Sequence, residues 1–494
     1  MATVAIDAGT SMIKAVVFDD DGTEIAVARQ PTTVHRPHPG WAEQDMRSVW
    51  DAATTAVRTA LSTVNEDITF LAITAQGDGC WLVDAHGQPT GPAILWSDGR
   101  AASIVETWRD TGVTEQAFRI NGSLGFSGLP HAILTWLDRH DPDRLRDSAT
   151  ALYCGGWLYH QATGRLTADL SDASTPFLDA TTRRYSPDLL ALHDLDWAAR
   201  LLPDLTPSHQ RAAPLTATAA HQLGLPAGTP VVLAPYDIAA TALGAGATQP
   251  GQAATILGTT LCTEIVRDRP DTTGTPAGLT VALDTATDVL RAYPTLAGTE
   301  VLDWATALLG LNHPRDLADL AESAPPRPDD PLLLPYLSPA GERAPFLNPH
   351  ARGTFWGLTL EHQRPHVARA VFDGLTMVIR DCLDHTGTDL TELRVTGGGA
   401  RNPFWCQLIA DVTGLPVATS TDTEVGAKGA HLTGLVATGT YPTITAAAND
   451  HVRITGTHHP DATRHQHHTH RYDLFQQLRA TTTPGWTQHA KHQP

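Results

Sequence analysis

The sequence is short of lysine and of cysteine, and each shortage removes a class of chemistry. Only three lysines occur among 494 residues, Lys14, Lys428 and Lys491. None stands in the Gly-Lys-Ser/Thr context of a P-loop, because Lys428 is followed by Gly429, so a Walker-type nucleotide site is excluded. A G-x-G-x-x-G after the first strand is also missing, which excludes a Rossmann dehydrogenase. Five cysteines stand singly at 80, 154, 262, 382 and 406, with no Cys-x-x-Cys pair to suggest a zinc cage or a disulfide framework. No stretch approaches the ~20 uninterrupted apolar residues that span a bilayer. The first residues run straight into a strand, without the basic and apolar segments of a secretory signal. The expectation is a cytoplasmic protein with no membrane partner. Basic residues are outnumbered as well, 34 Lys and Arg against 53 Asp and Glu, for a formal net charge of -19. Such acidity argues against nucleic acid as a partner, because duplex binding rests largely on Lys and Arg neutralising phosphates.

What is present is organised around the opening stretch, Val4 to Phe18. Val4–Ile6 and Ala15–Phe18 have the β-branched and aromatic content of strands, and Ala8-Gly9-Thr10-Ser11 joins them as a hairpin. Gly9 lets the backbone turn and its amide approach an anion, and Thr10 and Ser11 can donate hydrogen bonds to it. Asp7 enters the turn, where a carboxylate can hold a hydrated Mg²⁺ beside phosphates. The same pattern also serves as an ordinary tight hairpin. The chain makes the device twice, since Ala254 to Val266 is again strand, turn (Gly258-Thr259-Thr260) and strand. The expectation is a duplicated domain whose two turns grip a triphosphate from both sides of one cleft. The length accommodates two or three domains with full cores.

Between these hairpins, Asp19–Gly22 reads as a turn before a strand over Glu24–Ala28. Met46–Leu61 is predicted helical, with Val49, Ala53, Val57 and Leu61 on one face. Phe70–Thr74 is a buried strand ending in Gln76-Gly77-Asp78-Gly79, the kind of strand end where open α/β sheets place ligand groups. Ala93–Trp96 stops at Asp98 and Arg100, read as a local ion pair fixing a loop. From 101 to 225 helices and loops dominate, with a turn at Gly155-Gly156, a loop over Asp169–Ser174, and surface connections over 204–229. Val231–Ala234 is a strand that delivers Asp237 to the start of a small-residue helix. There the helix dipole should keep the carboxylate ionised at neutral pH, and an Asp in that place also serves as an N-cap. In the second half the longest expected helix is Pro365–His385, and Leu393–Thr396 breaks into Gly397-Gly398-Gly399-Ala400-Arg401-Asn402 before a helix over Pro403–Thr413 and a strand at Pro416–Ala418. Three glycines permit close approach of backbone to a flat ligand. Past Tyr441 the chain turns polar, and His458, His459, His465, His467, His468 and His470 are read as a solvated tail helix, no Cys or carboxylate joining them at ligand spacing.

These segments in this order, with Gly40-Trp41-Ala42-Glu43-Gln44-Asp45, Tyr336 to Pro345 and Arg352 to Leu358, resemble the FGGY carbohydrate kinases over residues 3 to 445. The resemblance implies an α/β chain of two ribonuclease-H-like domains of the actin, hexokinase and heat-shock-70 ATPase type, with ATP and sugar meeting in the cleft between them. The implied division is 1–246 on the sugar side, 247–445 on the nucleotide side, and a His-rich tail over 446–494. By the same resemblance Asp237 is the general base and Asp7 helps hold Mg²⁺. Gly9, Thr10, Ser11, Gly258, Thr259 and Thr260 cradle phosphates, and Gly398, Gly399, Ala400 and Asn402 line the adenine side. Gln76, Gly77, Asp78 and Trp96 face the sugar together with Asp237. The implied partner is a small sugar or polyol, in a chain compatible with a homodimer. Xylulose kinases commonly carry Gln-Met-His-Gly where this chain has Gln76-Gly77-Asp78-Gly79, a version more similar to kinases of erythritol and related polyols or of L-pentuloses. The family's Lys before Trp136 is replaced by Ile133, three positions earlier in the stretch Leu129–Trp136. A non-catalytic sensor or scaffold of the same fold is the rival reading, and the retained Asp7, Asp237 and paired hairpins argue against it. A chaperone-type ATPase is a second rival, and the tail after Tyr441 is too short and polar for its peptide-binding domain.

Overall fold

The computed structural model describes residues 1–207 and 210–491, so the last residues of the expected tail, 492–494, and two residues of the 204–229 connection lie outside it. The chain divides into two compact units, Met1–Thr248 with Arg267–Leu290 and Asp422–Arg453, and Gln249–Val266 with Arg291–Thr421 and Ile454–Pro494. The chain therefore enters the second unit at 249, returns to the first over 267–290, and returns to it again over 422–453.

In the first unit the strands are β1 (Ala2–Ala8), β2 (Met12–Asp19), β3 (Glu24–Pro31), β4 (Ile68–Ala75), β5 (Ala212–Pro214) and β6 (Pro230–Leu233). They form one sheet in the order β5-β6-β4-β1-β2-β3. β1 pairs antiparallel with β2 across the opening hairpin and parallel with β4, which pairs parallel with β6, while β5 closes that edge antiparallel. The central strands are mostly apolar because both faces are covered, with Asp7 and Thr74 at their carboxyl ends. One face packs against the helix Met46–Leu61, whose Val49, Ala53, Val57 and Ala60 are buried on the sheet. Asp45 caps this helix, its carboxylate accepting from the Ser48 N–H. On the opposite face Ala427, Ala430 and Leu432 of the helix Val425–Ala437 pack on Ala5, Ala72 and Val232.

The second unit repeats the pairing. Its strands β7 (Gln252–Leu257), β8 (Leu261–Arg267), β9 (Glu392–Thr396), β10 (Val417–Ser420) and β11 (Ile454–His458) are adjacent in the order β8-β7-β9-β10-β11. Antiparallel, parallel, parallel and antiparallel pairings follow one another as they do from β2 to β5. The helix Arg364–Asp384 is buried along most of its length, and Pro403–Thr413 packs beside it.

Three local expectations are corrected. Gly155-Gly156 does not make a turn but lies inside the buried helix Cys154–Thr163, where Gly156 has no space for a Cβ beside Thr167 O. Asp169–Ser174 is not an open loop but a buried helical turn, Leu170–Ala173, capped by Asp169. The longest helix of the second half is Ala462–Ala490, 29 residues carrying the histidine-rich segment. It docks on its own unit through His468, Arg471, Tyr472, Phe475 and Trp486, and it has no apolar stripe because its buried face is built largely from polar and aromatic side chains that find partners, such as the Tyr472 hydroxyl on Asp381 at 3.0 Å.

Candidate active site

In the first unit the ends of β1, β4 and β6 bring three expected site residues together. Asp7 stands on β1 opposite Lys14 of β2 and Thr74 of β4. Lys14 Nζ lies 3.5 Å from Asp7 and 2.9 Å from Glu424, which Arg29 also pairs. Burial raises the Asp7 carboxyl above the ordinary range, Lys14 pulls it down and Glu424 pushes it up again.

Asp237 is the first residue of the helix Asp237–Gly244, and Tyr236 rather than Asp237 occupies the cap. Its carboxylate accepts from the Ile238 N–H at 2.8 Å and from the Gly77 N–H. The helix start does not set its ionisation alone. Withdrawal from water and the negative charges of Asp7 and Asp78 outweigh the two backbone donors and push the group up to about 7. A Cβ at Gly77 would stand 2.1 Å from the Tyr236 ring, so any side chain there would displace that ring. That close approach brings the Gly77 amide to the base.

Gln76, Thr10 and Trp96 interlock. The Thr10 hydroxyl donates to Gln76 Oε1 at 2.7 Å and accepts from Trp96 Nε1 at 2.9 Å. Gln76 Nε2 donates to Gln44 Oε1 at 2.8 Å, and Gln44 Nε2 donates to Thr10 O, also at 2.8 Å. The single proton of Thr10 thus goes to Gln76 and not to a ligand in this arrangement, and the Gly9 N–H closes the hairpin on Met12 O at 3.1 Å. Of the first hairpin's expected phosphate donors, only Ser11 presents an exposed side chain at the tip. Asp78, at a φ of 57°, is buried and accepts from the Thr175 hydroxyl at 2.8 Å. Asp98 and Arg100 form the expected ion pair at 2.9 Å, extended by Glu43 and by the Trp41 ring beneath the guanidinium.

In the second unit a cavity of about 840 Å³ is lined by Gly258, Thr259, Gly398, Gly399 and Asn402, with walls from Phe372, Phe404, Asp303, Asp319, Glu322, Arg315 and Arg401. Two expected residues are not in its lining. Thr260 and half-buried Ala400 lie outside it, the Ala400 N–H donating to Gly397 O at 3.2 Å and its carbonyl accepting from Cys406 Sγ. Asn402 caps the helix Pro403–Thr413, accepting from the Trp405 N–H at 3.3 Å. Trp405 is fully buried under Gly399, so the glycines serve the packing of this loop as well as its opening to the cavity.

Sequence reasoning missed Lys14 and Glu424 beside Asp7, and Asp172 beside Asp78 and Asp237. Glu424 carries no local signal, since its partners lie some 400 residues earlier in the chain. Asp172 is 2% exposed with one carboxyl oxygen unpartnered, and burial followed by Asp169, Asp78 and Asp237 drives it well above the ordinary carboxylate range.

Among the described residues no helix is long and apolar enough to cross a membrane. The chain is 32% identical to the erythritol kinase of Brucella abortus (strain 2308), over 98% of this chain and 96% of that one. It is also 32% identical to the xylulose kinase of Escherichia coli (strain K12), over 96% and 98%. The crystal structure of xylulose kinase from Rhodospirillum rubrum superposes with a TM-score of 0.90 at 28% identity, covering 99% of this chain and 100% of that one. The model of the FGGY family of carbohydrate kinases, N-terminal domain, matches residues 2–244, and that of the C-terminal domain matches residues 253–438. With two such units, an acidic strand-end site in one and a glycine-lined cavity in the other, the chain belongs to the FGGY family of carbohydrate kinases and is a phosphotransferase.

Proposed function

We propose that this kinase transfers the γ-phosphate of ATP to a hydroxyl of a short polyol or a pentulose, with Asp237 as general base. The observation that carries this reading is the setting of Asp237, a half-buried residue at a helix start whose carboxyl is held by two backbone amides and raised to about 7. A group so poised accepts a proton near neutral pH more readily than an ordinary carboxylate. As the substrate oxygen bonds to the γ-phosphorus, its proton passes to Asp237 and the bond from phosphorus to the ADP oxygen breaks. Residues 1–246 supply the sugar side in this reading and 247–445 the nucleotide side. The glycine-lined cavity beside Phe372 and Phe404 suits a flat purine, and Gly258 and Thr259 suit its phosphates.

The residues also suit Mg²⁺. Asp7 is a hard oxygen donor whose negative charge is disfavoured where it stands, so a nearby cation would be welcome there. Among the described residues no group of three or more His, Cys, Asp or Glu could hold a metal ion by itself. When bound, Mg²⁺ would neutralise charge on the phosphates during transfer.

Asp78 favours a substrate rich in hydroxyls, because a carboxylate only accepts hydrogen bonds. The Trp96 ring, tethered through its Nε1 to Thr10, offers an apolar wall for the carbon chain. The cytoplasm, where ATP is plentiful, is the proposed location. A coupled ADP-release assay with erythritol, L- and D-xylulose, ribulose and glycerol side by side tests the reading. Acceptor-dependent ADP from erythritol or a pentulose supports it, and none from any of the five contradicts it.

A further inference from the structure

The buried helical turn Leu170–Ala173 and its flanks connect the two carboxylates of the sugar side. Asp169 is anchored by an ion pair with buried Arg211 at 2.5 Å, and Arg211 also donates to the carbonyl of Leu233, the last residue of β6, at 3.1 Å. The other Asp169 oxygen accepts from the Ser171 N–H and from the Ser171 hydroxyl. With its proton turned to Asp169, Ser171 Oγ accepts the Tyr236 N–H at 3.0 Å, immediately before Asp237. The Thr74 hydroxyl holds the preceding carbonyl, that of Pro235, at 2.6 Å. Four residues after Ser171, the Thr175 hydroxyl donates to Asp78 at 2.8 Å. A single segment, itself fastened to the end of β6, therefore fixes the backbone that presents Asp237 and the orientation of Asp78.

We propose that Asp169–Thr175 is a positioning element for phosphoryl transfer, in which Ser171 aims the base and Thr175 aims the substrate-facing carboxylate. The proposal rests on the reading of Asp237 as general base, and neither Ser171 nor Thr175 touches the reacting atoms. The two hydroxyls act on different quantities. Loss of the Ser171 hydroxyl leaves the Tyr236 N–H without its acceptor and lets the turn carrying Asp237 drift, which harms the chemical step more than ground-state binding. Loss of the Thr175 hydroxyl removes one donor that orients Asp78, which harms the grip on the substrate.

The test is steady-state kinetics of Ser171→Ala, Thr175→Val, Thr175→Ser and Asp237→Asn with the best acceptor of the panel, together with thermal melts. Ser171→Ala is expected to lower kcat by about 10- to 100-fold with the acceptor KM within about twofold of the parent. Thr175→Val is expected to raise that KM about tenfold with kcat within about twofold, and Thr175→Ser, which keeps the hydroxyl, to restore it. A residue needed only for folding would lower the melting temperature of both variants and move kcat and KM alike. Equal shifts in the two variants, an unchanged kcat in Ser171→Ala, or loss of its cooperative melt would overturn the proposal. Asp237→Asn separates the two readings. Near-parental turnover there removes the base itself, whereas an inactive Asp237→Asn beside a fully active Ser171→Ala removes only the positioning role.

Discussion

Asp237 shows how far a single residue departs from its local context. Its place at a helix start, with two backbone donors, argues for an ordinary, low carboxylate pKa. Withdrawal from water reverses that, helped by Asp7 from β1 and Asp78 beyond β4, and neither carboxylate is near it in the chain. Since the base works in its ionised form and its folded pKa is about 7, kcat/KM should rise with pH through a limb near 7 and level off above it. A pH–rate profile between pH 5 and 9 checks this, and a limb near 4, where an unperturbed Asp titrates, would contradict the assigned environment. Thr10 makes a similar point. Its residue type suits a phosphate donor, but the partners that engage its hydroxyl, Gln76 and Trp96, arrive from other strands and loops, so its positioning role is invisible in the hairpin alone.

At the scale of elements, the helix that carries Asp237 is seated by a close crossing with Val425–Ala437. A Cβ on Gly429 would stand 1.8 Å from Ala240 O, and one on Gly244 would stand 1.9 Å from Val425 O. Backbone cannot yield there as a flexible side chain would. Gly429→Ala is therefore expected to destabilise the protein by about 1–3 kcal/mol and to reduce turnover, measured by urea unfolding and by the coupled assay. Unchanged stability would show that the crossing is looser than described. The elements legible in the residues are those whose burial is apolar and periodic. Met46–Leu61 and Pro403–Thr413 have the predicted bounds, and both hairpins stand where their strand–turn–strand pattern puts them. The turn at Leu170–Ala173 and the docking of the tail helix Ala462–Ala490, expected as a solvated one, are not legible, because polar residues with partners distant in the chain fill their buried faces.

Across the whole molecule, the same order of strand pairing occurs twice, which the paired Gly-Thr turns anticipate. What they do not disclose is the return of Asp422–Arg453 to the first unit. That return is tied down by a chain of hydrogen bonds running from the Thr3 hydroxyl to His431 at 2.7 Å, from His431 to His451 at 3.1 Å, and on to Tyr441 and Asp450. Burial, the neighbouring His451 and Lys428 hold His431 well below the ordinary histidine range. The folded state thus favours neutral His431, and its contribution to stability is present above about pH 6.5, the unfolded value, and is lost as pH falls below it. His431→Gln should cost more stability at pH 7.5 than at pH 5, measured by urea unfolding at both values. Comparing variant with parent isolates this group from Asp172 and Asp237, whose raised values act in the opposite direction. A cost that grows toward acid pH would contradict the neutral, buried relay.

The central claim is that one carboxyl, Asp237, takes the proton of the acceptor alcohol. Single-turnover phosphorylation of the preferred acceptor by the parent and by Asp237→Asn measures it most directly. The account predicts at least a ~10²- to 10⁴-fold slower transfer in Asp237→Asn with nucleotide affinity retained. Transfer at the parental rate by a folded Asp237→Asn protein would contradict it.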